Sequence, residues 1–211
     1  MKHLSRAWRV TGLTNRFIDP IPAQMQTGKH WYLGTADAIY QNLHLIHGLD
    51  PEHVCVFGGD HIYKMDVRQM LDYHRQKNAR LTVAAIPVPV AQAHEFGVIE
   101  VDANGKMIGF EEKPKTNPKT IPGNPDFVLA SMGNYIFEAK TLVSVLEDDA
   151  AKADSKHDFG HNIIPQLYPS GDVYVYDFSS NVIRGESPSS SGYWRDVGTI
   201  DSYYEANMDL I

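Results

Sequence analysis

The chain has 211 residues, of which 43% are hydrophobic and 21% charged, with a formal net charge of −7 and one cysteine. That length suits one substantial α/β domain and not two, and the composition excludes a disordered or fibrous chain. No cluster of Lys and Arg is long enough to track a nucleic-acid backbone, and no stretch approaches the roughly 18–20 apolar residues of a membrane span. Neither a nucleic acid nor a membrane is therefore an expected partner. With no signal-peptide core near the N-terminus, the expected location is cytoplasmic.

Residues 1–4 read as part of a helix. From Thr35 a second helical pattern begins, with Thr35 able to cap it and Ile39, Leu43, Ile46 and Leu49 on one face. Pro51 follows, and residues 54–57 form a short apolar strand that runs into Gly58-Gly59-Asp60. Cys55 lies in that strand and is expected to be a buried thiol, not a nucleophile; alone, it excludes an intrachain disulfide and a multi-cysteine zinc site. Asp66 is placed to cap the next helix, which carries Val67, Met70, Leu71 and His74, and residues 81–86 form another buried strand. Alternating helices and strands predict a mostly parallel sheet covered on both faces.

The pattern then changes. Residues 97–101 and 106–111 are strands joined through Asn104-Gly105, a hairpin signal. Pro114, Pro118, Pro122 and Pro125 make the next stretch an extended loop. A strand over 132–137, helices over 141–146 and 158–168, and a strand over 173–178 follow. The serine-rich run 187–192 reads as a loop without chemistry.

Ligands of open α/β sheets sit at the carboxyl ends of parallel strands, where Gly58-Gly59-Asp60 falls. Asp60 and Asp196 are candidate ligands for a hard divalent cation, which takes one or two carboxylates together with substrate phosphates. On pattern alone, a helix cap or turn is the commoner role for a carboxylate in such a place. Lys113, held out of helical conformation by Pro114, suits a phosphate monoester, or else simply pairs with Glu111 or Glu112. Gly34, Thr35 and Ala36 open a helix whose free amides favour an anion, although ordinary capping accounts for Thr35 too. The ten histidines are read as structural or surface residues.

Several segments, taken in order, resemble the bacterial glucose-1-phosphate adenylyltransferases (ADP-glucose pyrophosphorylases). They are Trp31-Tyr32-Leu33-Gly34-Thr35-Ala36-Asp37-Ala38, Gly59-Asp60-His61-Ile62-Tyr63-Lys64, Glu95-Phe96-Gly97-Val98 and Glu112-Lys113-Pro114. Ala130-Ser131-Met132-Gly133, His157-Asp158-Phe159-Gly160 and Tyr193-Trp194-Arg195-Asp196-Val197-Gly198-Thr199 complete the series. Glu-Lys-Pro and Gly-Asp recur throughout sugar-nucleotide pyrophosphorylases, whereas the last three segments narrow the likeness to the ADP-glucose branch.

The resemblance implies a Rossmann-like nucleotidyltransferase domain over residues 1–211, with a mostly parallel mixed sheet. It implies formation of ADP-glucose and pyrophosphate from ATP and α-D-glucose 1-phosphate with Mg²⁺, a step of glycogen synthesis. It makes Asp60 a catalytic metal ligand and Asp196 the second, and Lys113 the grip on the sugar phosphate. Tyr32, Gly97, Glu112 and Ser131 become further glucose 1-phosphate contacts, and Gly34, Thr35, Ala36 and Gly59 lie with Asp60 against the nucleotide.

The family's first strand, its Gly-rich loop and its C-terminal β-helix have no counterpart in these residues. The full-length family is homotetrameric. The expectation is that this chain does not turn over ATP alone. A UDP- or dTDP-glucose pyrophosphorylase and a non-catalytic sugar-phosphate-binding or regulatory subunit are the competing readings.

Overall fold

The computed structural model of the chain describes residues 17–25, 28–29, 31–185 and 192–209. The helix expected at residues 1–4 and nearly all of the serine-rich loop lie outside them. The helical pattern after Thr35 forms two helices, α1 (Thr35–Tyr40) and α2 (Leu43–Leu49). Asn42 makes the break. Its side-chain amide donates to the Ala38 carbonyl at 2.8 Å, and its backbone N–H donates to Ile39 at 3.0 Å, one residue short of the α-helical partner. Leu43 is buried and Ile39 and Ile46 pack on the core, but Leu49 is exposed. Asp50, at φ 43°, ends α2 before Pro51.

Strand β1 (His53–Phe57) leads into Gly58-Gly59-Asp60 and the short β2 (His61–Tyr63). Asp66 caps α3 (Val67–Gln76) as expected, accepting from the Arg68 N–H at 3.1 Å. Then come β3 (Leu81–Pro89) and the hairpin of β4 (Gly97–Val101) and β5 (Met107–Glu112). Asp102 closes that hairpin by accepting from the N–H groups of Asn104 and Lys106. Beyond the proline-rich loop are β6 (Phe127–Glu138) and α4 (Ala139–Ala150). The expected helix over 158–168 is a π-helical turn, Phe159–Ile163, continued by α5 (Ile164–Leu167). Strands β7 (Val173–Asp177) and β8 (Trp194–Asp196) and helix α6 (Ile200–Met208) complete the described residues.

Strand β6 is the spine of a mixed sheet. Along one edge it pairs with β3; along the other it pairs first with β4, at residues 129–130, and then with β1, at residues 134–138. Strand β5 extends the sheet from β4, and β7 extends it from β3. Strands β1, β3, β4 and β7 share one direction, as the alternation of helix and strand requires. Yet β6 arrives from a hairpin and a loop rather than a crossover helix, and it runs the opposite way between them. The expectation of mostly parallel neighbours is corrected accordingly: β3–β7 is the one parallel ladder among the described residues.

One sheet face packs Leu81, Val83 and Phe137 against Leu142 and Leu146 of α4 and Ile163 and Ile164 beyond it. The other packs Ala84, Met132 and Ile136 against Met70 of α3 and Phe178. Cys55 departs from expectation and is exposed. Strand alternation turns Val54 and Val56 to the first core and Cys55 to the opposite face, at the margin of the sheet. The partial desolvation that persists raises its thiol pKa.

Candidate functional site

The strand register creates a cavity. Phe57 at the end of β1 lies opposite Asn134, while Val98 near the start of β4 lies opposite Ala130. On that edge of β6, residues 131–133 therefore face a gap. On the other edge the register with β3 shifts, with Val83 opposite Tyr135 but Ala85 opposite Ser131. The surplus residues form a bulge that passes through Gly133 at φ +72°, a conformation that suits glycine. Above the gap lies a cavity of about 510 Å³, at the carboxyl end of β1. Its wall includes Asp60, Gly97, Glu112, Lys113, Ser131 and Asp196, and also Thr35.

Asp60 and Asp196 arrive on a two-stranded ribbon, in which His61 of β2 pairs with Asp196 of β8. Edge-to-face rings seat the ribbon: His61 with Trp194 at 5.3 Å, Phe96 with Trp194 at 5.4 Å, and Phe57 with Tyr63 at 6.4 Å. The Asp60 side chain is 86% exposed, with the His61 ring 3.9 Å away. One oxygen of Asp196 accepts from the Gly198 N–H at 3.0 Å. No group of three or more metal-ligating side chains exists among the described residues. Two open carboxylates on one cavity wall fit a hard cation that completes its shell with water and substrate oxygens, not a closed structural site.

Lys113 sits at φ +50°, a left-handed conformation uncommon for a residue with a side chain. Its N–H donates to the Phe96 carbonyl at 3.0 Å, which ties the end of β5 to the start of β4. Among the described residues it makes no ion pair with Glu111 or Glu112, so its ammonium is not committed to either neighbour. Glu112 is half-buried, and burial raises its carboxyl pKa; Asp158 adds to the rise, while His161 and Lys113 oppose it. A Cβ on Gly97 would stand 2.8 Å from the Glu112 carboxylate and 2.5 Å from the Phe110 ring, so only glycine lets these groups approach. Ser131 accepts from the Gly133 N–H at 3.4 Å.

Other expected residues lie elsewhere. Gly34 is packed so closely on the carbonyls of Lys156 and His157 that a Cβ would overlap them. The Ala36 and Asp37 N–H groups both donate to the His157 carbonyl, at 2.8 and 3.3 Å. The amides that made this helix start a candidate anion site are thus already bonded. Tyr32 accepts from the Asn42 side chain at 3.1 Å, and a Cβ on Gly59 would meet open space. Of Gly34, Thr35 and Ala36, Thr35 is the one that lines the cavity, where its hydroxyl donates to Asp158 at 2.9 Å.

Asp158, Tyr135, His61 and Gly160 also line the cavity without having been singled out for it. Asp158 caps the turn that follows it, accepting from the His161 N–H at 3.0 Å. Burial acts to raise its pKa, but hydrogen bonds from the His161 backbone, Thr35 and the His161 ring outweigh that and hold it low. Tyr135 is buried, which pushes its phenol pKa up and keeps it neutral. His157 and His161 stand four residues apart, a metal-like spacing, but one bonds Asp149 and the other Asp158.

An open α/β sheet with a crevice at a strand's carboxyl end, lined by two carboxylates and a lysine, is an arrangement suited to phosphoryl or nucleotidyl chemistry. Residues 2–211 match the family model described as nucleotidyl transferase, and the chain belongs to that family. It is 63% identical over 209 residues to a glucose-1-phosphate adenylyltransferase of Photobacterium profundum, and 64% over 210 residues to one of Aliivibrio fischeri. It is 61% identical over 209 residues to glucose-1-phosphate adenylyltransferase 1 of Vibrio cholerae. These alignments take in 99–100% of this chain and 51% of each relative, so the chain spans about half the length of the curated relatives it matches. Among the described residues, no helix is long and apolar enough to cross a membrane.

Proposed function

We propose that this chain carries the sugar-phosphate and metal side of a glucose-1-phosphate adenylyltransferase site, for the reaction of ATP and α-D-glucose 1-phosphate to ADP-glucose and pyrophosphate. The observation that carries this reading is the convergence in one cavity of Asp60, Asp196, Glu112, Lys113 and Ser131, which come from four separate stretches of chain. The names of the relatives favour the adenosine nucleotide over uridine or thymidine.

In this reading the sugar-phosphate oxygen attacks the α-phosphorus of ATP in line, and pyrophosphate leaves without a covalent enzyme intermediate. The protein's contribution is then positioning and charge neutralisation. Lys113 supplies a point charge to the phosphate monoester, and the half-buried Glu112 accepts from sugar hydroxyls. Ser131 offers a hydroxyl to the sugar beside the bulge of β6, and Gly97 lets the Glu112 carboxylate lie close to the strand there. Mg²⁺, held by Asp60 and Asp196, would neutralise charge on the phosphates.

The test is calorimetric titration of the purified chain with glucose 1-phosphate and Mg²⁺, with ATP, UTP and dTTP added in turn as competitors or co-ligands. Binding of glucose 1-phosphate in preference to glucose 6-phosphate, and a response to ATP alone among the nucleotides, is the expected outcome. Absence of sugar-phosphate binding, or preference for UTP or dTTP, would overturn it.

A further inference from the structure

Asp149, near the end of α4, is 2% exposed and touches nothing in the cavity. It accepts two hydrogen bonds, from the Ser155 hydroxyl at 2.7 Å and from the His157 ring nitrogen Nδ1 at 2.8 Å. Ser155 in turn accepts from the His157 N–H at 2.9 Å, which closes a ring of bonds around residues 155–157. A carboxylate this deeply buried is costly unless its oxygens are bonded, and an apolar side chain would fill the same face of α4 without that cost.

The ring holds a particular backbone shape. His157 lies at φ +52°, where side-chain-bearing residues are held only by their surroundings. In that shape its carbonyl receives the Ala36 and Asp37 N–H groups at the start of α1. The next residue, Asp158, receives the Thr35 hydroxyl, and both line the cavity. Gly160 follows, with room for a Cβ denied by the Glu112 carboxylate at 2.5 Å. One turn of chain thus connects a buried acid on α4 to the Glu112 side of the cavity.

We propose that Asp149, acting through Ser155 and His157, is a positioning residue that holds 155–158 in the conformation seating α1 and presenting Asp158 and Thr35 to the cavity. That this wall serves a sugar phosphate rests on the function proposed above; the positioning itself does not.

Hydrogen exchange of the 211-residue chain reads the positioning directly. Asp149→Ala removes both acceptors, and the Ala36 and Asp37 amides are expected to exchange about tenfold to a hundredfold faster, while amides of β3 and β6 keep their rates. His157→Asn, which retains an amide donor and tolerates the left-handed conformation, is expected to stay close to the unaltered protein. Should Asp149→Ala not fold, Ser155→Ala supports the same comparison with a smaller effect. Equal acceleration across the sheet, or unchanged Ala36 and Asp37 amides, would overturn the proposal by making Asp149 a general stabiliser or a bystander. A glucose 1-phosphate titration of the same variants is expected to show weakened binding in Asp149→Ala and binding close to that of the unaltered chain in His157→Asn. If the unaltered chain binds no glucose 1-phosphate, the functional reading fails while the exchange result still decides the positioning.

Discussion

His61 stands opposite Asp196 in the β2–β8 ladder, so Asp60, the residue before His61, reaches the same cavity as an aspartate from the far end of the chain. Because Asp60 is 86% exposed, Asp60→Asn removes charge without removing packing. It is expected to change stability by no more than about 0.5 kcal/mol, the range of surface substitutions. Binding of Mn²⁺ as a Mg²⁺ surrogate, followed by the loss of its free paramagnetic resonance signal, is expected to fall at least about tenfold in Asp60→Asn and Asp196→Asn alike. Metal binding that survives both substitutions would remove these carboxylates from the site.

Lys113 occupies a backbone conformation that its residue type disfavours, with its N–H bonded to the Phe96 carbonyl. Lys113→Gly is therefore expected to melt no lower than the unaltered chain, since glycine adopts φ +50° at no steric cost. Its affinity for glucose 1-phosphate is expected to drop about tenfold to a hundredfold, the worth of a charge-assisted phosphate contact, and more than its affinity for ATP. Thermal denaturation and titration of the one variant check both. Equal losses for the two ligands would detach Lys113 from the sugar phosphate.

What could be read in advance was local. The Asp66 cap, the Asn104-Gly105 hairpin and the glycines after β1 each depend on a few adjacent residues, and each forms as expected. The break at Asn42 is local as well, but it turns on a side chain choosing the Ala38 carbonyl over solvent, which periodicity does not express. The insertion of β6 between strands of the opposite direction is a long-range pairing, and nothing in its own residues signals its neighbours. The cavity follows from that pairing, because it opens where β6 changes partner from β4 to β1. Motif resemblance therefore found residues of the wall, such as Lys113 and Asp196, while the reason they meet became visible only with the sheet. Gly34 and Ala36 show the converse: small residues at a helix start suit a ligand or a close-packed chain equally, and here the chain segment 156–157 takes the place.

Glu112 gives the site a pH signature in stability. Burial raises its carboxyl pKa in the folded chain above the ordinary value of 4.5. Below that ordinary value both folded and unfolded chains are protonated there, and Glu112 costs nothing. As pH rises the unfolded chain ionises first, so folding is opposed increasingly until the folded-state pKa is passed. Glu112→Gln is thus expected to melt higher than the unaltered chain near neutral pH, with the gain vanishing at low pH. A gain independent of pH would show that the carboxyl's charge is not the cause.

His74 produces the opposite trend from the opposite face of the sheet. It is 1% exposed in α3, bonded through Nδ1 to the Thr82 hydroxyl at 2.8 Å, with the His53 ring 5.0 Å away. Burial, reinforced by His53, lowers its pKa from 6.5 to about 4. The unfolded chain takes up a proton at this ring as pH falls through its ordinary value, whereas the folded chain resists until about pH 4. Stability contributed by the neutral ring is fully present above pH 6.5 and is lost progressively down to about pH 4, by at most about 3 kcal/mol. His74→Gln keeps a side chain able to bond Thr82 but cannot titrate. Its urea midpoint is expected to fall less steeply than that of the unaltered chain across this window, and parallel slopes would mean that other groups set the acid limit of the fold.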